Sequence, residues 1–308
     1  MPAPTADELR ANALQNRYDF VLLFDVSDGN PNGDPDAGNM PRIDPETMKG
    51  FVTDVALKRK IRDYIETVKG NQPPYRIYVQ HQGRGGLFLN ALHDQAHDAI
   101  GTPKDEKTRK APPANVREAA RLWMCRNFYD VRAFGAVMTT GSNAGQVRGP
   151  LQLTFARSVD SIAPAEVTIT RVAKTTEERA GKEGTTEIGR KNMIPYGLYR
   201  AHGFVSPSFA AMTGFSEDDL DLFWQALLRM FEDDRSASRG FMATRDLVVF
   251  RHQSPLGNAP AHGLFDRVRV RLKEGRTVSR SYADYEVTVD EQGLPAGVTV
   301  VRPQPRYG

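Results

Sequence analysis

Residues Arg17–Val26 read RYDFVLLFDV, a β-rich run that is continuously apolar at its centre. A central strand covered on at least one face has this pattern. It runs directly into SDGNPNGDPDAGNMPR, residues 27–42, where Asn, Asp, Gly and Pro each favour turns for separate steric and hydrogen-bonding reasons. Next, FVTDVALKRKIRDYIETVKG (51–70) sets Leu57, Ile61, Tyr64, Ile65 and Val68 at helical spacing and stops at Gly70. Strand signals return in DVRAFGAVMTT (130–140) and in GPLQLTFARSV (149–159). Ser216 and Asp219 form a capping-box pattern ahead of Leu220, Phe223, Trp224, Leu227, Leu228 and Phe231, a second core helix, and RDLVVF (245–250) supplies a further strand. Strand, helix, two strands, helix, strand is the ferredoxin-like order that also underlies RNA-recognition modules.

Two segments interrupt this α+β core. After Pro73 and Pro74, residues 71–128 hold two helical patterns separated by the charged, Pro-rich TPKDEKTRKAPPA, and read as a finger-like helical insertion. Residues 165–203 have β-prone ends around a charged middle that cannot bury itself, as a protruding hairpin would. Beyond the core, FDRVRVRLKEG (265–275) and ADYEVTVDEQGLPAGVTVV (283–301) read as added strands, the last two as a hairpin.

Composition narrows the chemistry. The 308 residues are 40% hydrophobic, enough for one large core, and 41 Lys and Arg against 38 Asp and Glu leave only +3. A polyanionic partner is therefore not implied by net charge, only by where charge sits. Cys125 is the single cysteine, which excludes an intrachain disulfide and a multi-cysteine zinc site and fits a reducing cytosol. The N-terminus lacks a basic stretch followed by an apolar one, and the expected location is cytoplasmic.

Several motifs invite a metal. Asp28, Asn30, Asn32, Gly33 and Asp34 imitate the start of a calcium loop, but the twelfth position is Asn39 rather than glutamate, and Pro31 and Pro35 interrupt it. His93 and His97 in HDQAH stand one helical turn apart, with Asp94 where the zinc-protease pattern needs glutamate. Solvated or capping histidines, a turn-dense loop and a buried Cys125 are the plainer readings, and no metal or cofactor is expected.

Basic elements carry more information. Lys58, Arg59 and Arg62 flank the apolar stripe of the first helix, within reach of a phosphate crossing the sheet edge. RAFGAV (132–137) matches the aromatic strand motif of RNA-recognition modules at Arg132, Phe134, Gly135 and Val137, while Phe134 is equally suited to the core. Gly145 and Gly149 allow close backbone approach beside the donors Gln146 and Arg148, or simply form a turn. Arg267, Arg269, Arg271 and Lys273 alternate, so a strand aligns them on one face; edge protection against aggregation is the competing reading.

Taken in order, RYDFVLLFDV, DGNPNGDPDAGNMPRIDPET, TDVALKRKIRDY, DVRAFGAVM, GQVRGPLQ and NMIPYGLYRAHGFVSP closely resemble the backbone subunit of type I-C CRISPR surveillance complexes (Cascade), within the RAMP superfamily. The resemblance implies a modified RNA-recognition palm, a finger after Pro73 and a thumb hairpin. It implies a non-catalytic subunit of antiviral defence whose copies assemble head to tail along CRISPR RNA, with other Cascade subunits as partners and target DNA reached through the guide. On this resemblance Lys58, Arg59 and Arg62 contact phosphate, Arg132–Gly135 is an RNA platform, and Gly145–Gly149 is a backbone clamp. Asn30 and Asn32 shape the contacting loop, Met193 and Tyr196 wedge against displaced bases, and Arg171 and Lys191 on the hairpin complete the set. Cleaving relatives use an acidic residue near the same loop, so a metal-dependent endoribonuclease built on Asp28, Asp34 or Asp36 is the alternative.

Overall fold

The computed structural model describes residues 4–82, 85–171 and 187–307. In chain order the strands are β1 (Tyr18–Gly29), β2 (Gly33–Asp34), β3 (Met40–Pro41), β4 (Lys49–Val52), β5 (Gly135–Met138), β6 (Gly145–Arg148) and β7 (Leu151–Leu153). They continue as β8 (Ala156–Ser161), β9 (Ala165–Arg171), β10 (Glu187–Val205), β11 (Phe241–His252), β12 (Val268–Leu272), β13 (Tyr285–Val289) and β14 (Val298–Val301). The helices are α1 (Ala6–Ala11), α2 (Asp54–Lys69), α3 (Leu89–Ala99), α4 (Glu106–Lys110), α5 (Ala114–Asn127), α6 (Tyr129–Phe134), α7 (Pro207–Thr213), α8 (Glu217–Arg229) and α9 (Ala261–Phe265). None of the described helices is long and apolar enough to cross a membrane.

An antiparallel sheet forms the centre, ordered β14-β11-β1-β10-β8-β4, with β7 and β9 also pairing with β10. The ferredoxin-like strands are thus β1, β7 with β8, β10 and β11, and the crossover helices are α2 and α8. Thr53 caps α2 by accepting from the Ala56 amide at 3.3 Å, and Gly70 ends it at φ 64°, a conformation that suits glycine. Ser216 and Asp219 close the capping box that starts α8.

The apolar run in β1 has a specific cause. Tyr18, Phe20, Leu22, Phe24 and Val26 point into the core made with α2 and α8, where Phe20 meets the rings of Phe223 and Trp224 edge-on at 5.7 and 5.1 Å. Val21 and Leu23 point the other way, into a second apolar layer with Val248, Phe250, Phe265 and Tyr285. Both faces of the sheet are covered. The second cover is the chain's own C-terminal part, α9 with the β12–β13 ribbon.

Arg200 and His202 fasten that cover. Arg200 donates to the carbonyls of Phe265 and Val268 at 2.6 and 2.8 Å and to His202 Nε2 at 3.0 Å, while the His202 ring stacks on Phe265 at 4.4 Å. Burial, then the Arg200 charge, depress the His202 pKa to about 4, with Asp266 opposing them. The unfolded chain takes up this proton near pH 6.5 and the folded chain only near 4, so the contribution is complete above 6.5 and lost as pH falls through that window. Melting temperature should accordingly drop between pH 6.5 and 5, above the range in which ordinary carboxylates titrate. The drop should be smaller in His202→Gln; equal slopes in both proteins would remove this residue from the acid response.

Sequence and structure part at three places. Residues 130–134 are expected as strand but lie in α6, a short helix buried all round whose Asp130 and Arg132 are held by Arg62 and Asp219. The strand resumes at Gly135, and β5 pairs with β6 in a separate ribbon, not in the central sheet. Its core joins the insertion, with Met138, Ala144 and Val147 packed among Leu92, Trp123 and Phe128. The third core strand is supplied instead by the returning arm of the hairpin, since β10 runs on for 19 residues from its pairing with β9 into the sheet. Finally, β13 and β14 do not pair with each other: β13 pairs with β12 and β14 with β11. The expected hairpin tip falls on residues 172–186, outside the described residues.

Candidate nucleic-acid interface

With both sheet faces covered, the basic residues gather along an edge formed by the 30–42 loop, the first turns of α2 and the β5–β6 ribbon. The loop is held by its own side chains and by Thr53. Asn30 donates through Nδ2 to the Asn39 carbonyl at 2.7 Å, and Asn32 Oδ1 accepts from the Thr53 amide and hydroxyl, each at 3.0 Å. A Cβ at Gly33 would lie 1.9 Å from Asn39 Oδ1, so a larger residue there would have to turn the Asn39 side chain aside. Asn30 Oδ1 is buried without a partner and lines a polar cleft of about 280 Å3 with Asn32, Arg59, Lys60 and Arg239.

On α2 the cations are held by acids. Lys58 Nζ lies 2.8 Å from Asp54, Arg59 pairs with Asp63 and donates to the Val79 carbonyl at 3.1 Å, and Arg62 Nε meets Asp130 at 2.7 Å. Asp130 is buried and also accepts the Tyr78 and Val79 amides at 2.7 and 3.0 Å, so Arg62 anchors the start of the insertion. Lys58 and Arg62 both sit over the Phe134 ring, at 5.7 and 5.3 Å, which brings them beside Gly135. In the ribbon, Gln146 and Arg148 point outward from β6 while Gly145 and Val147 are buried. Arg148 covers the Phe209 ring at 4.3 Å.

The hairpin base joins this edge to a further loop. Lys191 donates to the Ala237 carbonyl at 3.2 Å, and Asn192 donates to the Gly38 carbonyl at 2.9 Å. Met193 is half-buried opposite Ala165. The backbone of Arg171 pairs with Glu187, and its side chain lies outside the described residues.

Three expected contacts are placed elsewhere. Arg132 is buried, with Nε and Nη2 on Asp219 at 2.9 and 2.7 Å and the rings of Tyr75 and Tyr129 at 5.3 and 5.2 Å. Phe134 is a core residue whose ring supports Lys58 and Arg62 from beneath. Tyr196 belongs to the second layer, its hydroxyl donating to the buried Asp25 at 2.9 Å; burial and the Asp25 charge raise its pKa. None of the three side chains faces the edge, because each is more stable with a buried partner than exposed.

The acidic and imidazole candidates are dispersed. Asp34 pairs with Arg42 at 3.4 Å and accepts from the Asp36 amide, whereas Asp28 and Asp36 are exposed. His93 has both ring nitrogens engaged, by the Tyr78 hydroxyl at 2.8 Å and the Thr140 carbonyl at 2.9 Å, and buried His97 contacts the Asn143 carbonyl at 3.0 Å. Among the described residues no three His, Cys, Asp or Glu side chains are grouped as a metal would require. Burial pushes the Cys125 thiol up to about 11.

Two features of the edge were not read from sequence. Lys60 is buried and pairs with Asp234, which also meets Arg239; the LKRK run contains Lys60, but only the helical phase against α8 shows that it points inward. Arg117 on α5 is exposed and its chain passes 3.5 Å from a Cβ at Gly145, a proximity that spacing along the sequence does not reveal.

The sequence pattern of the family described as CRISPR-associated protein Cas7 matches residues 16–290. A curated CRISPR-associated protein Cas7 of Haloferax volcanii is 25% identical over 299 residues, covering 90% of this chain and 81% of that protein. Among solved structures, a chain of a CRISPR RNA-guided surveillance complex in a pre-nicking state superposes with a TM-score of 0.47 at 14% identity, over 76% of this chain and 78% of that one. A chain of a second CRISPR RNA-guided surveillance complex gives 0.41 at 12% identity, over 76% and 68%.

Proposed function

Since the chain belongs to the CRISPR-associated Cas7 family, we propose that it is a non-catalytic backbone subunit, repeating head to tail along CRISPR RNA in a type I-C Cascade complex. The observation that carries this reading is the family match itself, which spans every residue of the basic edge. The geometry supports an edge-bound polymer: the sheet faces are occupied by the chain's own layers, so bases do not stack on the sheet as they do on RNA-recognition modules. The proposed contacts are Lys58, Arg59, Gln146, Arg148 and Lys191, with Arg62 and the Asn30 to Asn39 loop shaping the surface. Met193 and Arg171 belong to the hairpin that would reach a neighbouring copy, whereas Arg132, Phe134 and Tyr196 leave the contact set because they are buried. Guide and target pairing then supplies sequence choice, and the protein reads backbone and shape.

Size-exclusion chromatography with light scattering, with and without CRISPR RNA and magnesium, tests this. The expected result is RNA-dependent growth to multi-copy particles with intact RNA on a denaturing gel. Monomeric protein with magnesium-dependent fragments, abolished by Asp28→Ala, Asp34→Ala or Asp36→Ala, would replace it by the endoribonuclease reading. In the double variant Lys58→Ala/Arg59→Ala the slope of log affinity against log salt should become shallower by about 1.4, at roughly 0.7 per single-strand phosphate. Its stability should change by under about 1 kcal/mol, because partly exposed i,i+4 pairs contribute little.

A further inference from the structure

The alternating cations after Arg267 lie on the opposite side of the sheet from the guide edge. The apolar face of the β12–β13 ribbon, including Val268, Val270, Tyr285 and Val287, packs on the second layer. Strand alternation therefore turns Arg269 and Arg271 outward, with Lys273 following in the same phase, and all three are exposed. Across the ladder they meet Thr288 and Glu286. Side chains on one face of such a strand recur about every 6.8 Å, which makes a regular row of charge.

Their bonding separates them from the other basic groups. Arg267 grips the carbonyls of Asp290, Gln292 and Gly293 at 3.1, 2.9 and 2.9 Å, a structural role. Arg269, Arg271 and Lys273 have no ion pair or side-chain hydrogen bond among the described residues, whereas Lys58, Arg59 and Arg62 are all paired. The connecting turn adds exposed Arg280 and Arg276, the latter paired with Asp284 at 3.4 Å; Glu286, Glu274 and Asp284 are the nearest acids by register and chain.

We propose that this outward row is a second polyanion surface, which holds the phosphate backbone of a DNA duplex without reading its sequence. The partner is assigned as duplex because no aromatic ring lies on the outward face formed by Arg269, Arg271, Lys273, Glu286 and Thr288. A face without rings gains nothing from unpaired bases beyond their phosphates, and a row of cations alone releases most counterions from the partner with the densest phosphate charge, the duplex. Because α2 packs on the opposite face of the sheet, the guide edge and this row can be occupied together. The proposal stands apart from the guide-binding reading.

The test is the full-length triple variant Arg269→Thr/Arg271→Thr/Lys273→Thr, which keeps β-favouring residues at exposed positions and should melt like the wild type. Fluorescence anisotropy with a labelled DNA duplex of unrelated sequence, across a salt series, should show wild-type binding. The variant should bind about tenfold or more weakly at low salt, with a salt slope shallower by about 3, at roughly 0.9 per duplex phosphate. Its RNA-dependent assembly should be unchanged, and saturating CRISPR RNA should not displace the duplex from wild type. Equal slopes for variant and wild type would overturn the proposal. So would tighter binding of an unpaired strand to this row, displacement of the duplex by RNA, or a variant that aggregates while still binding duplex, which is the edge-protection outcome. Failure to bind CRISPR RNA would count against the guide reading alone, because the duplex measurement does not depend on it.

Discussion

Arg132→Ala is expected to destabilise the RNA-free protein by about 3–5 kcal/mol, because it leaves Asp219 buried without its counter-charge. Asp219 has two duties: it pairs with Arg132 and, through the capping box with Ser216, starts α8. The guanidinium also donates to the Pro74 carbonyl at 2.5 Å, so its loss loosens the junction between insertion and core. Melting temperature should fall by about 10 °C, at a few degrees per kcal/mol for a chain of this size. Arg132→Lys should recover only part of this, since an ammonium keeps the charge but not the planar fork that meets both carboxylate oxygens. An unchanged melting temperature with lost RNA affinity would restore Arg132 as a platform residue.

Gly149→Ala should have an effect of similar size for a steric reason. A Cβ at Gly149 would lie 2.3 Å from the Phe134 carbonyl carbon and 2.4 Å from both the Ala133 oxygen and the Gly135 nitrogen, all backbone atoms. Gly135 faces it at φ 86°, where its own Cβ would be 2.5 Å from the Val147 oxygen. The end of α6 and the start of β5 lie against the residue after β6 with no room for a side chain, and separating them should cost at least about 3 kcal/mol, at the upper end for overpacking. Hydrogen exchange should show the β5–β6 ribbon losing protection first. Gly145→Ala should cost less, because its positive φ of 83° is the main obstacle and the nearest atom is 3.5 Å away on a flexible arginine. A stable Gly149→Ala protein that no longer binds RNA would instead make this glycine part of a backbone clamp.

These two residues show where sequence reading worked and where it failed. RAFGAV was legible as a special segment, and Gly149 as a point of close approach; Gly145, read the same way, has only flexible arginine side chains near it, and the close approach at Gly135 was not read. Their partners within the fold were not: Gly149 packs against protein backbone, and the arginine meets an aspartate 87 positions away. At the edge, the position of Lys58, Arg59 and Arg62 beside the apolar stripe is legible because helical phase is a local property. Tyr196 was assigned to the surface because an aromatic on a hairpin arm has no local mark of burial, and Asp25, which accepts its hydroxyl, lies 171 positions away.

The sequence by itself determined the alternation of core strands and helices, the caps of α2 and α8, and the outward row after Arg267, since periodicity and capping depend on neighbours within a few residues. Only the tertiary structure decided that the sheet is covered on both faces, that the hairpin's returning arm is the third core strand, and that Arg132 is buried. Those outcomes depend on contacts between distant segments. A charged or aromatic side chain is placed by the partner that makes its burial favourable, and that partner can lie anywhere along the chain.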